Sequence, residues 1–223
     1  MSNCCQFGAN LTGENSRHLE PWDEVLFESA NFVAVPTLGA LIEGWLLLVP
    51  RDHHLCIGSF SPDLLAEFQE FREEVHSALT SIYGSVVTFE HGPARTGQPA
   101  GCGVDHAHLH LVPWRGLFGD TIREHSPIPI NWRYSRGFID LVRLHQANET
   151  YLYYEEASGE AWYGLSDSIP SQFFRQVIAR ATNQADSYDW KSHSGIELIQ
   201  STITVLTSAN NLRTSKSEVI LCV

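Results

Sequence analysis

Residues 105–113 read DHAHLHLVP, and the strict alternation of this stretch narrows what the chain around it can fold into. Successive side chains of a strand point to opposite faces, so His106, His108 and His110 share one face while Ala107, Leu109 and Leu111 share the other. The apolar side calls for a packing partner, and a helix is the partner expected. The imidazole side gathers three titratable rings that would not be buried together without a purpose.

A metal, a proton relay and a nucleophile are the chemistries open to that face. Three neutral imidazoles can hold zinc with an open fourth position, and Asp105, His53 or His54 could complete a shell. Alternatively one imidazole attacks phosphorus and forms a phosphoramidate while its neighbours orient it and hold the phosphate. No carboxylate or fourth ligand stands at a recognisable metal spacing. The segment GQPAGCGVDH, directly before the histidines, offers backbone N–H groups free of side-chain bulk, which suits phosphate oxygens. Gly101, Gly103 and Asp105 are therefore candidate phosphate-binding residues, and the expectation is a site without metal or cofactor.

The remainder of the first half supplies a frame for that strand. DEVLFES and FVAVP read as two short strands around a tight turn, WLLLVP as a strand buried on both faces, and SVVTFEHG as a fourth strand. Between them SPDLLAEFQEFREEVHSALTSIYG is a helix, with Ser61 as N-cap, Pro62 in first position and Gly84 as terminator. Its apolar residues Leu64, Leu65, Phe68, Phe71, Val75, Leu79 and Ile82 form one stripe. Strands around a single long helix, with no alternating βαβ rhythm, imply an α+β fold with an antiparallel sheet of about five strands.

Past Trp114 the texture changes. IPINWRYSRGFID reads as an aromatic loop, TYLYYEEA and EAWYGLS as a hairpin turned at Ser158–Gly159, and IPSQFFRQVIARATNQA as a helix capped by Ser171. GIELIQSTITVLTSANN fits helix or strand equally. The expected organisation is a flexible leader over 1–20, a domain over 21–115 and an α/β extension over 116–223 packed on the same domain.

A formal charge of −12 disfavours nucleic acid and anionic membranes, yet leaves room for a small anionic ligand held by local N–H groups, Arg and His. The first twenty residues lack an apolar core of signal length, and WLLLV is too short to span a bilayer. Five scattered cysteines suit a reducing compartment, so a cytoplasmic location is expected.

HAHLHLV fills every position of the signature His-φ-His-φ-His-φ-φ, where φ is apolar, and by it residues 22–114 resemble the histidine triad superfamily. The resemblance implies a nucleotidyl hydrolase or transferase acting on a dinucleoside polyphosphate or phosphoramidate-like substrate, without metal, and is compatible with a homodimer. It makes His108 the nucleophile, His106 its orienting neighbour and His110 a phosphate ligand. His at the third position, rather than Gln, favours the hydrolase branch. Gly103 stands where many members carry Ser or Thr, Trp45 where many carry His, and Thr37 where an acidic or amide residue often meets ribose. In longer branches added segments close over the ligand; Gln172 and Arg175, in the first turn of a helix, are the candidates for that contact here.

Overall fold

The computed structural model describes residues 20–98, 104–166 and 168–220, with side chains to residue 209. The expected leader up to residue 19, together with Gly101 and Gly103, lies outside the described residues.

Eight strands form one antiparallel sheet: β1 Phe27–Glu28, β2 Phe32–Pro36, β3 Leu46–Pro50, β4 Val86–Gly92, β5 Leu109–Pro113, β6 Asn131–Ser135, β7 Tyr151–Glu155 and β8 Ala161–Leu165. Their spatial order is β1-β2-β3-β5-β4-β7-β8-β6. The α+β class and the antiparallel sheet match expectation. The strand count does not, because the second half of the chain adds three strands to the same sheet, with β7 pairing along β4 from Thr88↔Glu155 to Gly92↔Tyr151.

Helix α1, Pro62–Tyr83, begins where Ser61 accepts the Leu64 N–H at 3.2 Å, and it ends at Gly84, whose φ of 90° few other residues adopt. It buries Phe68, Phe71, Val75 and Leu79 in one cluster with Phe32, Leu46, Leu48, Leu109 and Leu111. This is the helical partner that the apolar side of residues 105–113 requires, each large buried side chain contributing about 1.5–3 kcal/mol. The opposite face packs under α2, Phe118–His125, and α4, Phe173–Ala181, where Val87, Phe89 and Val112 meet Phe118, Phe173, Phe174 and Ile178. The sheet is thus covered on both faces, and His110 lies beneath the second cover, stacked on Phe89.

Several boundaries differ from the sequence reading. Strand β5 starts at Leu109, not at Val104, because Ala107 gives its N–H to the His54 carbonyl and the His106 carbonyl accepts from the ring of His108. Residues 128–140 are not a loop: β6 runs along β8, and α3, Phe138–Gln146, begins after Gly137 at φ 79°. The cap of α4 is Gln172, in the left-handed region at φ 59° and ψ 34°, rather than Ser171. The segment left open between helix and strand is helical, α5 Ile196–Ile220. Among the described residues, no helix is long and apolar enough to cross a membrane.

Candidate active site

His106, His108 and His110 are all buried, and each ring has one nitrogen whose role is fixed by its partner. Nε2 of His106 lies 2.8 Å from the Pro50 carbonyl, which can only accept, so that nitrogen carries the hydrogen. Nδ1 of His108 lies 2.7 Å from the His106 carbonyl. It is therefore the N–H, and the lone pair of the neutral ring sits on Nε2. His110 has the reverse pattern: the indole Nε1 of Trp45 donates to its Nδ1 at 3.0 Å, leaving the hydrogen on Nε2.

The same three rings stay neutral near pH 7. Burial lowers the His108 pKa below its ordinary 6.5, opposed by the bond to the His106 carbonyl and helped by the His106 ring. His106 is lowered by burial too, against the Pro50 bond and with help from His53 and His54. His110 falls well below 6.5 through burial, then through His108, His91 and Arg175. A neutral ring with its lone pair on Nε2 and its Nδ1–H anchored is the state in which imidazole is a nucleophile.

A fourth imidazole, His91, enters from β4. Phe89 pairs with His110, and His91, two residues further along β4, has its ring centre 6.2 Å from that of His110. His91 is buried, accepts the Phe174 N–H at 3.4 Å, and burial with the neighbouring His108 and Arg175 pushes its pKa down to about 3. Phe89 stacks on His110 with ring centres 4.4 Å apart. Sequence reading missed His91; the available signal was its position two residues after Phe89, hence on the same face of a neighbouring strand.

The other candidates are placed unevenly. Arg175 is 2% exposed and donates to the backbone carbonyls of Tyr188 (2.7 Å) and Gly39, with its guanidinium 5.1 Å from the centre of the Trp45 ring. Gln172 bonds Asp189 and the Trp190 N–H. The Thr37 hydroxyl bonds the Leu38 carbonyl. Asp105 accepts the Gly97 N–H at 2.9 Å and so ties the approach of the triad to the loop before it. Of these residues, Arg175 is the one whose charge is felt by the imidazoles.

At the same end of the sheet a cleft of about 690 Å³ is lined by Ala94, Arg95, Gln98, Thr150, Ser166 and Ser168 among others, and none of the four imidazoles lines it. Among the described residues no group of three or more His, Cys, Asp or Glu is placed to hold a metal.

No family model and no curated protein matches the chain. Among solved structures it is similar to a Zn-bound histidine triad family protein from Mycobacterium smegmatis, with 20% identity, coverage of 65% of this chain and 91% of that one, and a TM-score of 0.38. A hypothetical histidine triad nucleotide-binding protein from Sulfolobus tokodaii is 17% identical over 56% of this chain and 81% of its own, TM-score 0.35. Yeast Ap4A phosphorylase, in complex with AMP, is 11% identical over 74% of this chain and 72% of its own, TM-score 0.39. At these identities and scores no residue role passes to this chain.

Proposed function

We propose that this chain is a histidine-triad enzyme that cleaves or transfers a nucleoside phosphate through a covalent nucleotidyl group on His108. The observation that carries the reading is the 2.7 Å bond from His108 Nδ1 to the His106 carbonyl, which leaves Nε2 as the nucleophilic atom of a neutral ring. In the first step Nε2 forms a bond to phosphorus, and the bond from phosphorus to the leaving-group oxygen breaks, with that oxygen taking up a proton. In the second step an acceptor oxygen, from water or phosphate, attacks phosphorus and the P–N bond breaks. His106 orients the nucleophile, and His110 offers its Nε2–H to a phosphate oxygen. Gly101, Gly103 and Asp105 belong to the phosphate approach in this reading. The cleft beside Arg95 has a volume suited to the nucleoside. Residues 21–115 supply the reacting groups, and residues 116–223 form an extension that supports them.

Mixing the protein with a dinucleoside polyphosphate and quenching in base tests this, because a phosphoramidate survives alkali and is lost in acid. The expected result is a protein heavier by one nucleotidyl group, with the adduct mapped to His108. Turnover without an adduct, silenced by a chelator, would replace this reading with a metal-dependent one. Binding without turnover would make the chain a nucleotide-binding module.

A further inference from the structure

We propose that Trp45, braced from behind by Arg175, is a positioning residue that fixes the tautomer of His110 and makes its Nε2 a permanent hydrogen-bond donor toward a ligand oxygen. The identity of the ligand rests on the reading above; the tautomer does not.

The indole of Trp45 is 1% exposed and its Nε1 has a hydrogen but no lone pair to offer. At 3.0 Å from His110 Nδ1, it can only donate. The opposite tautomer would set two N–H groups against each other in a pocket closed to water, which the low local dielectric makes costly. Charging the ring would do the same, and burial with His108, His91 and Arg175 already opposes it. One state remains: neutral, with the hydrogen on Nε2. That atom is buried and has no hydrogen-bond partner among the described residues. A donor held in one orientation, dry and unmatched, suits an acceptor oxygen brought by a ligand.

The indole cannot turn away. Phe89 packs edge-on against it at 5.8 Å, and the Arg175 guanidinium sits 5.1 Å from its ring centre, itself anchored by the Tyr188 and Gly39 carbonyls. A cation over the face of an indole also draws electron density from the ring and strengthens its N–H as a donor. Arg175 therefore acts on the site through Trp45 as well as through the charge felt by His91 and His110. Because the Nε2–H donor does not depend on taking up a proton, ligand affinity contributed by His110 stays level across neutral pH.

The test is ¹H–¹⁵N spectroscopy of the imidazoles in the full, ligand-free chain at pH 7, with calorimetric titration of AMP as the probe ligand. The wild type is expected to show His110 protonated at Nε2 and bare at Nδ1. Trp45→Phe keeps an aromatic ring but lacks the N–H, so its His110 is expected to show mixed or reversed tautomers and AMP binding about tenfold weaker. His110 protonated at Nδ1 in the wild type overturns the proposal whether or not the variant folds. An unchanged tautomer in Trp45→Phe overturns it as well. A tautomer lost in the variant, with AMP bound by neither protein, upholds the role of Trp45 and removes the nucleotide reading instead.

Discussion

Glu90 and His91 are consecutive residues of β4, both buried, and they point to opposite faces of the sheet. On the α1 side Glu90 accepts the Ile57 N–H at 2.7 Å with one oxygen and the Tyr151 hydroxyl at 2.8 Å with the other. Tyr151 in turn accepts the Gly58 N–H, so the turn after β3 is pinned to β4 and β7. Burial lifts the Glu90 carboxyl to about 7 against the pull of those two bonds, and lifts the adjacent Cys56 thiol to about 12, too high for a thiolate nucleophile. On the other side His91 stands with His108 and His110, where one ring nitrogen of His110 has no partner among the described residues. The Glu90 network is closed on itself, whereas the imidazole group has a donor to spare. Arg72 Nε, Thr88 Oγ1 and Trp114 Nε1 are also buried and without a partner among the described residues, yet none belongs to a group of imidazoles. What separates architecture from a site here is a leftover atom among groups capable of chemistry.

The largest effect that would sharpen this contrast is on turnover. His108→Asn removes the attacking nitrogen, and kcat for a dinucleoside polyphosphate is expected to fall on the order of 10⁴-fold with the near-UV circular dichroism unchanged. A fall of tenfold or less would put the nucleophile elsewhere.

On the closed face the expected change is in stability, and its sign follows from the carboxyl. Unfolded, Glu90 ionises around 4.5; folded, around 7. Above 7 the unfolded chain is ionised at no cost while the folded one has had to bury a charge, so Glu90 destabilises the fold as pH rises through that window. Glu90→Gln cannot ionise; its amide oxygen can accept the Ile57 N–H while its amide N–H donates to the Tyr151 hydroxyl. Relative to wild type it should gain roughly 3 kcal/mol between pH 4 and pH 8 in urea unfolding. Parallel pH profiles would show that Glu90 does not titrate there.

His91 gives a smaller effect of opposite direction. Its pKa is 6.5 unfolded and about 3 folded, so only the unfolded chain takes up a proton as pH falls below 6.5. Stability from the neutral ring is present above 6.5 and is lost toward 3. His91→Gln should therefore lose roughly 2 kcal/mol less than wild type between pH 8 and pH 5. If the two proteins lose the same amount, the His91 ring is charged in the fold.

Much of the first half is legible in sequence because its signals are local. Ser61, Pro62 and Gly84 bracket α1, and two-residue alternation separates Leu109 and Leu111 from the histidines. Strand β6 hides because it is an edge: Tyr134 is 67% exposed beside an exposed Arg133 and a buried Ser135, so exposure does not alternate along it. The length of β5 is misread because side-chain bonds at His106 and His108 replace the ladder, which alternation does not reveal. The triad is legible as a pattern, but its division into one lone pair and one donor is not. That division depends on Trp45 and the Pro50 carbonyl, which are distant in sequence. Arg175 is legible only as a helix-terminal charge, since its partners Gly39 and Tyr188 lie on other segments.

The place of β7 beside β4 bears on how the chain comes off the ribosome. When residue 115 has been made, the three triad histidines, Trp45 and strands β1–β5 exist, but β4 still presents an open edge from Thr88 to Gly92 that only residues 151–155 close. Until then the nascent half is a sheet with an exposed row of N–H and C=O groups, open to pairing with another chain. Closure also requires contacts far apart along the chain, a topology that folds slowly. Cutting the protein after the histidine strand would accordingly leave a sticky fragment in place of a minimal enzyme.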